Sequence, residues 1–320
     1  MSLKSSSEST LDNIDSSNPV KELENMVVGS FEVIPPSEQI KYPYVLYVPP
    51  NNLNVKTNIM MWGAGTVHAE TPEQQAQEII EGSIPDSIMS VCEQFQIACI
   101  TPVLPRDRIN GINLDAQILS RATMLDTTNC PDYYKGPDKE ILKMLKQVRM
   151  SLQSIGNTVD DKFIFAGISA GANQANRLSL LYPQIVKASA VLSAGDYFYP
   201  EGTINGQRIG YPFGTADIEL IEQQQFDREE FKQIRHLFYI GKQDVAQNRD
   251  PFSHDLNGNQ ELVARLGPLL GTNQVDRGLR YVDHLTKMGM DLELIFREDL
   301  GHGVDGKVMS KLIEFIKASL

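Results

Sequence analysis

Gly167-Ile168-Ser169-Ala170-Gly171 places one serine between two glycines, inside the run "FAGISAGANQANRLSLLYP" from Phe165 to Pro183. A serine hydroxyl is a poor nucleophile at neutral pH and becomes a useful one beside a general base. Small residues on both sides suit a sharp strand-to-helix turn that lifts the hydroxyl while neighbouring backbone comes close. G-x-S-x-G arises by chance about 0.1 times in a chain of this length. The motif therefore gains weight only from its surroundings, which must be a strand ahead and a helix behind. Both are legible: "KFIFAG" (Lys162 to Gly167) is a short apolar run, and Gly171 to Tyr182 carries apolar residues at helical spacing. The alternative is a glycine-rich turn with an idle serine.

Five histidines compete for the base. His68 follows the small-residue loop Gly63-Ala64-Gly65, His236 sits inside an apolar strand and reads as core, His254 lies in a polar loop, and His284 falls within a helix. His302 stands in "DLGHGVD", between the last strand and the last helix. It opens on the same sheet edge as Ser169, because both follow the carboxyl end of a parallel strand. That makes His302 the preferred base.

An acid must fix the tautomer of the imidazole and stabilise its charged form. Asp244, in "YIGKQDVAQ", follows another buried strand and completes the order Ser169, Asp244, His302. Asp196 is its main rival, with Asp250 and Asp255 further along the loop of Asp244. Tyr197, Phe198 and Tyr199 follow Asp196 at once, so Asp196 reads as the cap of its bend, accepting from backbone amides. Acyl transfer also needs donors for the developing oxyanion. The Ala170 amide supplies one. "MWGAGT" (Met61 to Thr66) supplies the other, from Ala64 or alternatively Gly65. Trp62, Tyr197 and Tyr199 are the candidates for substrate contact.

The elements that would carry these residues follow from patterning. Strands are expected over Met26–Pro35, Tyr42–Pro50, Thr57–Gly65, Ile97–Pro105, Lys162–Gly167, Val186–Gly195, Ile234–Gly241 and Asp291–Glu298. Helices are expected over Ile84–Gln96 with Ser83 as N-cap, Pro137–Gly156, Gly171–Tyr182, Asp276–Met290 and Val308–Leu320. From Thr57 onward strands and helices alternate, which means a mostly parallel sheet with helices on both faces. The two leading strands have no helix between them and predict an antiparallel hairpin at one edge. Tyr197 to Arg235 breaks the alternation. Asn205-Gly206 there is a two-residue hairpin signal, and residues 197–226 read as an inserted lid or pocket wall over the edge of the sheet, not as a core element.

Composition bounds the partners. The 320 residues are 41% apolar and 22% charged, ordinary for a globular chain that buries one large core. Net charge is −12, which argues against nucleic acid or an anionic membrane as the main partner. No apolar run is long enough for a transmembrane span. Cys92, Cys99 and Cys130 lack metal spacing, and Cys92 and Cys99 in their apolar surroundings read as core thiols, so neither metal nor cofactor is implied. Residues 1–25 are serine-rich and expected to be disordered, and residues 26–320 are expected to form one domain. No export signal is visible. A serine-rich tether ahead of a folded domain nevertheless fits a secreted or cell-surface-tethered protein, with a cytoplasmic one as the alternative.

Together, Gly63-Ala64-Gly65, Gly167 to Gly171, Asp244 and His302 resemble the α/β-hydrolase superfamily, over about Val27 to Leu320. Within it, the sequence is most similar to serine esterases of the polyhydroxybutyrate-depolymerase and feruloyl-esterase-like branch. Many relatives carry His-Gly at the oxyanion strand end where this chain has Trp62-Gly63, which keeps the backbone donor and changes the neighbouring side chain. The resemblance implies an α/β-hydrolase fold and hydrolysis of a small or polymeric carboxylic ester through a Ser169–Asp244–His302 triad. A serine peptidase or amidase on the same triad is the alternative within enzymes. A non-catalytic binding protein on the same fold is the alternative outside them.

Overall fold

The computed structural model describes residues 28–125, 129–222, 225–245 and 260–320. In chain order the first half of the sheet and its cover are β1 (Phe31–Ile34), β2 (Tyr44–Tyr47), β3 (Lys56–Gly63), α1 (Pro72–Glu78), α2 (Asp86–Phe95) and β4 (Ile97–Pro102). A small hairpin of β5 (Arg106–Ile109) and β6 (Ile112–Asp115) follows, then the single turn α3 (Arg121–Met124) and the long α4 (Pro137–Ser154). The two-residue β7 (Thr158–Val159) precedes β8 (Phe163–Ile168), α5 (Ala170–Leu181) and β9 (Val186–Leu192). A second hairpin, β10 (Thr203–Ile204) and β11 (Gln207–Arg208), leads to α6 (Glu219–Glu222), α7 (Arg228–Lys232) and β12 (Arg235–Gly241). The described chain ends with α8 (Gln260–Leu270), α9 (Gln274–Lys287), β13 (Leu292–Arg297) and α10 (Gly306–Ala318).

The main sheet runs β1-β2-β4-β3-β8-β9-β12-β13, with β7 beside β3. β2 pairs antiparallel with both β1 and β4, and every later pairing is parallel. The expected antiparallel edge hairpin is thus β1–β2. Both faces of the central strands are covered, and successive residues of β3 divide between two cores. Ile59 and Met61 pack with α4, α5 and α9, while Met60 and Trp62 pack with α1, α2 and α10. That is why the central strands read as unbroken apolar runs and not as alternating ones. No helix among the described residues is long and apolar enough to cross a membrane.

After β4 the chain crosses back over β3 to lay down β8, so strand order reverses between β3 and β8. Open α/β sheets place their ligands at such a reversal, outside the carboxyl ends of the strands. Gly63 and Ser169 both lie there.

Several boundaries move for local reasons. The helix expected from Ile84 starts at Asp86, with Pro85 at its N-cap. A residue before proline is disfavoured in helical conformation, which excludes Ile84. The Ser83 carbonyl instead accepts from the Trp62 indole at 2.8 Å. The Asn205-Gly206 turn forms as read, with φ of 50° and 76°. The segment around it is not all peripheral. The β10–β11 strands are mostly exposed, but Tyr197, Phe198, Tyr199, Ile209, Tyr211, Phe213 and Ile218 are buried in the main core. Helix α5 draws them in: Asn173 Oδ1 accepts from the Gly195 amide at 3.1 Å, and Asn176 Oδ1 accepts from the Phe198 amide at 2.7 Å.

Candidate active site

Ser169 joins β8 to α5 with φ 57° and ψ −117°, a strained turn for a residue with a side chain. Its amide donates to the Leu192 carbonyl at 2.9 Å, and its own carbonyl accepts from Ala172 and Asn173 at 3.0 and 3.2 Å. The peptide frame therefore fixes the turn, and the half-buried side chain is left over for chemistry. The glycines explain how the frame closes. A Cβ on Gly171 would sit 2.0 Å from the Gly63 carbonyl oxygen, and one on Gly167 would sit 2.4 Å from the Gly171 carbonyl oxygen. The end of β3, the end of β8 and the first turn of α5 thus touch backbone to backbone, which only glycine permits.

Ala170 opens α5, and Ala64 and Gly65 follow β3. The Gln117 side chain, which the motif reading did not single out, holds this loop. Its amide donates to the Gly65 carbonyl at 2.5 Å and to the Ala64 carbonyl at 3.2 Å. A peptide plane with its carbonyl turned to Gln117 points its N–H the other way. The Gly65 amide, partner of the Ala64 carbonyl, is oriented in this manner.

Asp244 and His302 meet. His302 Nδ1 and Asp244 Oδ2 are 2.9 Å apart, with Asp244 buried and the imidazole 39% exposed. The loops that carry them are tied together. A Cβ on Gly241 would lie 2.1 Å from the Gly301 carbonyl, so the end of β12 lies directly against the histidine loop. The Gln243 amide donates to the Leu300 carbonyl at 2.9 Å. The Tyr239 hydroxyl reaches the carbonyls on both sides of His302, at 2.8 Å for Gly303 and 3.2 Å for Gly301. Burial raises the pKa of this phenol, which keeps it a donor. Arg297, at the end of β13, grips Asp299 and Asp305 at 2.8–3.1 Å and closes the loop from its open side. Its guanidinium holds the Asp299 carboxyl down at about 2. Gln274, with its amide nitrogen turned to the carboxylate, donates to Asp244 Oδ1 and Oδ2 at 2.9 and 3.1 Å.

Ser169 Oγ makes no hydrogen bond to His302 or to any other described residue. The structure joins Asp244 to His302 by a hydrogen bond and joins Ser169 to neither.

The rival groups are placed otherwise. Asp196 does not cap its bend. It is buried against Arg177 of α5, with Nη2 and Oδ1 2.9 Å apart and both side chains shielded from water. Arg177 also donates to the Ile118 and Leu119 carbonyls, at 2.5 and 3.3 Å. An arginine inside a helix looks exposed in sequence, and its burial overturns the capping role. His236 is buried in β12 with neither ring nitrogen partnered, and desolvation alone pushes its pKa down to about 3. His284 is half-buried 3.6 Å from Glu201, and burial lowers its pKa as well. His68 is exposed, and its backbone amide donates to Glu78. His254, Asp250 and Asp255 lie outside the described residues.

The proposed substrate contacts are core side chains. Trp62 is 1% exposed, Tyr197 2% and Tyr199 4%. The Trp62 indole is committed to Ser83, Tyr197 stacks on Tyr281 at 4.9 Å, and Tyr199 meets the edge of Tyr281 at 5.0 Å. Aromatics at a carboxyl edge suggest a pocket, but α9 packs down on these two tyrosines. Gly278 leaves room for the Tyr197 hydroxyl, which would lie 2.8 Å from a Cβ there.

No family model matches the sequence, and no curated protein does. Among solved structures, poly(aspartic acid) hydrolase-1 from Sphingomonas sp. KT-1 is similar with a TM-score of 0.56 at 16% identity, over 89% of this chain and 97% of that one. The poly(3-hydroxybutyrate) depolymerase LpqC from Bordetella parapertussis is similar with a TM-score of 0.53 at 13% identity, over 88% and 87%. With the sheet order and the strained strand-to-helix turn, these likenesses define an α/β-hydrolase fold: a mostly parallel sheet, flanking helices and an antiparallel hairpin at its amino-terminal edge.

Proposed function

We propose that the chain is a serine hydrolase that cleaves a carboxylic ester through an acyl-enzyme. The observation that carries this reading is the 2.9 Å contact of His302 Nδ1 with buried Asp244, on the sheet edge where Ser169 stands on its strained turn. Asp244 fixes the tautomer with the proton on Nδ1, which leaves Nε2 as the base. Ser169 Oγ attacks the acyl carbon as its proton passes to His302 Nε2. The Ala170 amide and an amide of the Ala64–Gly65 loop stabilise the oxyanion. The imidazolium then protonates the leaving alcohol, and water attacks the acyl-enzyme with His302 again as base. The serine-to-histidine hydrogen bond forms as substrate binds, since such bonds are commonly long or poorly aligned without a ligand. The polyester depolymerase likeness, though a matter of fold alone, fits the esterase branch that the motifs resemble.

The test is hydrolysis of p-nitrophenyl esters from acetate to long acyl chains, with a peptide panel beside them. Ester turnover is expected, together with fluorophosphonate labelling of Ser169. Ser169→Ala should lower kcat by about 10⁶ and abolish labelling without lowering Tm. Turnover of peptides alone would move the reading to an amidase. A Ser169→Ala variant within tenfold of wild type would end the triad reading.

A further inference from the structure

We infer that Gln274 is a positioning residue that clamps Asp244 in the plane His302 needs. This rests on the serine-hydrolase reading for its consequence and on geometry for its existence. Gln274 is the first residue of α9 and far from Asp244 in sequence. Its backbone is placed independently of its side chain, because Asn273 caps the helix by accepting from the Asp276 amide at 2.9 Å. The side chain is half-buried, and its amide reaches both oxygens of one buried carboxylate, at 2.9 and 3.1 Å. Asp244 Oδ2 also faces His302 Nδ1. A carboxylate held at one oxygen alone can rotate about its last torsion and swing away from the ring. With one amide nitrogen shared across both oxygens, that swing is restrained. A carboxamide also suits the place chemically. It donates to the anion without adding charge, so the full negative charge stays available to the imidazolium that forms during acyl transfer. A lysine or arginine there would compete with His302 for the acid.

The other groups facing this pair stay constant in the test. They are the Tyr239 hydroxyl from β12, the Tyr197 hydroxyl from the chain after β9, and Arg297, Asp299 and Asp305 around the histidine loop. Without the Gln274 amide nitrogen, which both carboxylate oxygens share, Asp244 carries more charge at Oδ2 and favours the protonated ring.

The experiment follows the ring signals of isotope-labelled His302 by NMR against pH, in the full chain and in Gln274→Leu and Gln274→Glu. The titration midpoint should rise by about one unit in Gln274→Leu. It should rise further in Gln274→Glu, which keeps the shape and adds a second carboxylate. Turnover of a p-nitrophenyl ester should fall about tenfold in kcat for either variant with KM little changed, the scale of one charge-assisted hydrogen bond. An unmoved midpoint in two variants with wild-type near-UV circular dichroism would overturn the clamp. Wild-type protein that does not label with a fluorophosphonate would sink the hydrolase reading alone, because the titration needs no turnover.

Discussion

The carboxyl edge of the sheet is built in two ways. The half around Ser169, the proposed nucleophile, is made of backbone. Gly63, Gly167 and Gly171 press three elements together, and Ser169 stands on the resulting bend. The half around the proposed acid and base is made of side chains: Asp244 to His302, Gln274 to Asp244, Tyr239 to the carbonyls around His302, and Arg297 to Asp299 and Asp305. The difference has an energetic meaning. A backbone contact tolerates no added atom, so it should fail abruptly. A hydrogen-bonded network loses one member at a time, and each loss should be graded.

After the loss of Ser169 itself, the largest expected effect separates the proposed acid from its rival. Asp244→Asn keeps the shape but favours the wrong tautomer of His302, which lowers kcat by about 10⁴. Asp196→Asn should behave in the opposite manner. It breaks the buried pair with Arg177, which leaves an uncompensated charge and costs about 3 kcal/mol of stability, while kcat of the folded fraction stays near wild type. Measuring kcat and Tm for both variants gives a crossed pattern. If Asp196→Asn loses kcat and keeps its Tm, the acid sits one strand earlier.

The next effect tests the backbone half. Gly171→Ala places a methyl 2.0 Å from the Gly63 carbonyl oxygen, a contact that neighbouring backbone must move to relieve. About 3 kcal/mol of destabilisation is expected, with loss of fluorophosphonate labelling beyond what the unfolded fraction explains. Ala172→Gly, one residue on, is the control and should still label. A fully labelled Gly171→Ala would mean that the three elements are not locked, and the contrast between the halves would dissolve.

These two constructions differ in how legible they are from sequence. The backbone half is written locally. Gly167, Ser169 and Gly171 fall within five residues, β8 is an unbroken apolar run and α5 carries helical periodicity, and the parallel sheet with its leading hairpin follows from strand–helix alternation. Asp244 and His302 are legible because each follows the carboxyl end of a strand, Asp244 after the buried β12 and His302 after the partly exposed β13. Their support is not. Gln274 and Tyr239 belong to a helix start and a strand interior, where no local signal sets them apart. Gln117 follows a hairpin, β5–β6, whose Asn110-Gly111 turn carries the same signal as Asn205-Gly206 but was masked by the strand–helix pattern around it. Tyr197, Tyr199 and Arg177 mislead for a related reason: residue type suggests surface or pocket, and only tertiary packing puts them in the core.

A smaller effect bears on the pH dependence of the side-chain half. His236 lies outside that half, yet it makes the fold itself acid-sensitive. Its folded pKa is about 3, below the ordinary value near 6.5 of the unfolded chain. The unfolded state therefore takes up a proton first, and stability falls as pH drops through 6.5 and keeps falling towards 3. Between pH 7 and pH 5 this one residue removes about 2 kcal/mol. His236→Leu should flatten the Tm profile over that range and leave the acid limb of ester hydrolysis to His302. If the Tm profiles of wild type and variant run parallel, buried His236 is not the source.

The smallest effect probes whether the side-chain half is as graded as its construction implies. Tyr239→Phe keeps the buried ring and deletes one hydroxyl that faces the carbonyls of Gly301 and Gly303. Gly241 packing and the Arg297 grip remain, so His302 keeps its loop and loses only part of its anchorage. One neutral hydrogen bond contributes about 1 kcal/mol, which corresponds to roughly a fivefold change in rate. That loss should fall on kcat, because the imidazole is less often aligned, and not on KM, because Tyr239 lies beneath the loop. Removing Arg297 as well, in Tyr239→Phe with Arg297→Leu, should cost more than the two single losses multiplied, since the loop then keeps only the Gly241 contact, the Gln243–Leu300 hydrogen bond and Asp244 itself to hold it. Simple multiplication of the two effects would mean that the anchors act independently, and that backbone packing against Gly241 already fixes His302.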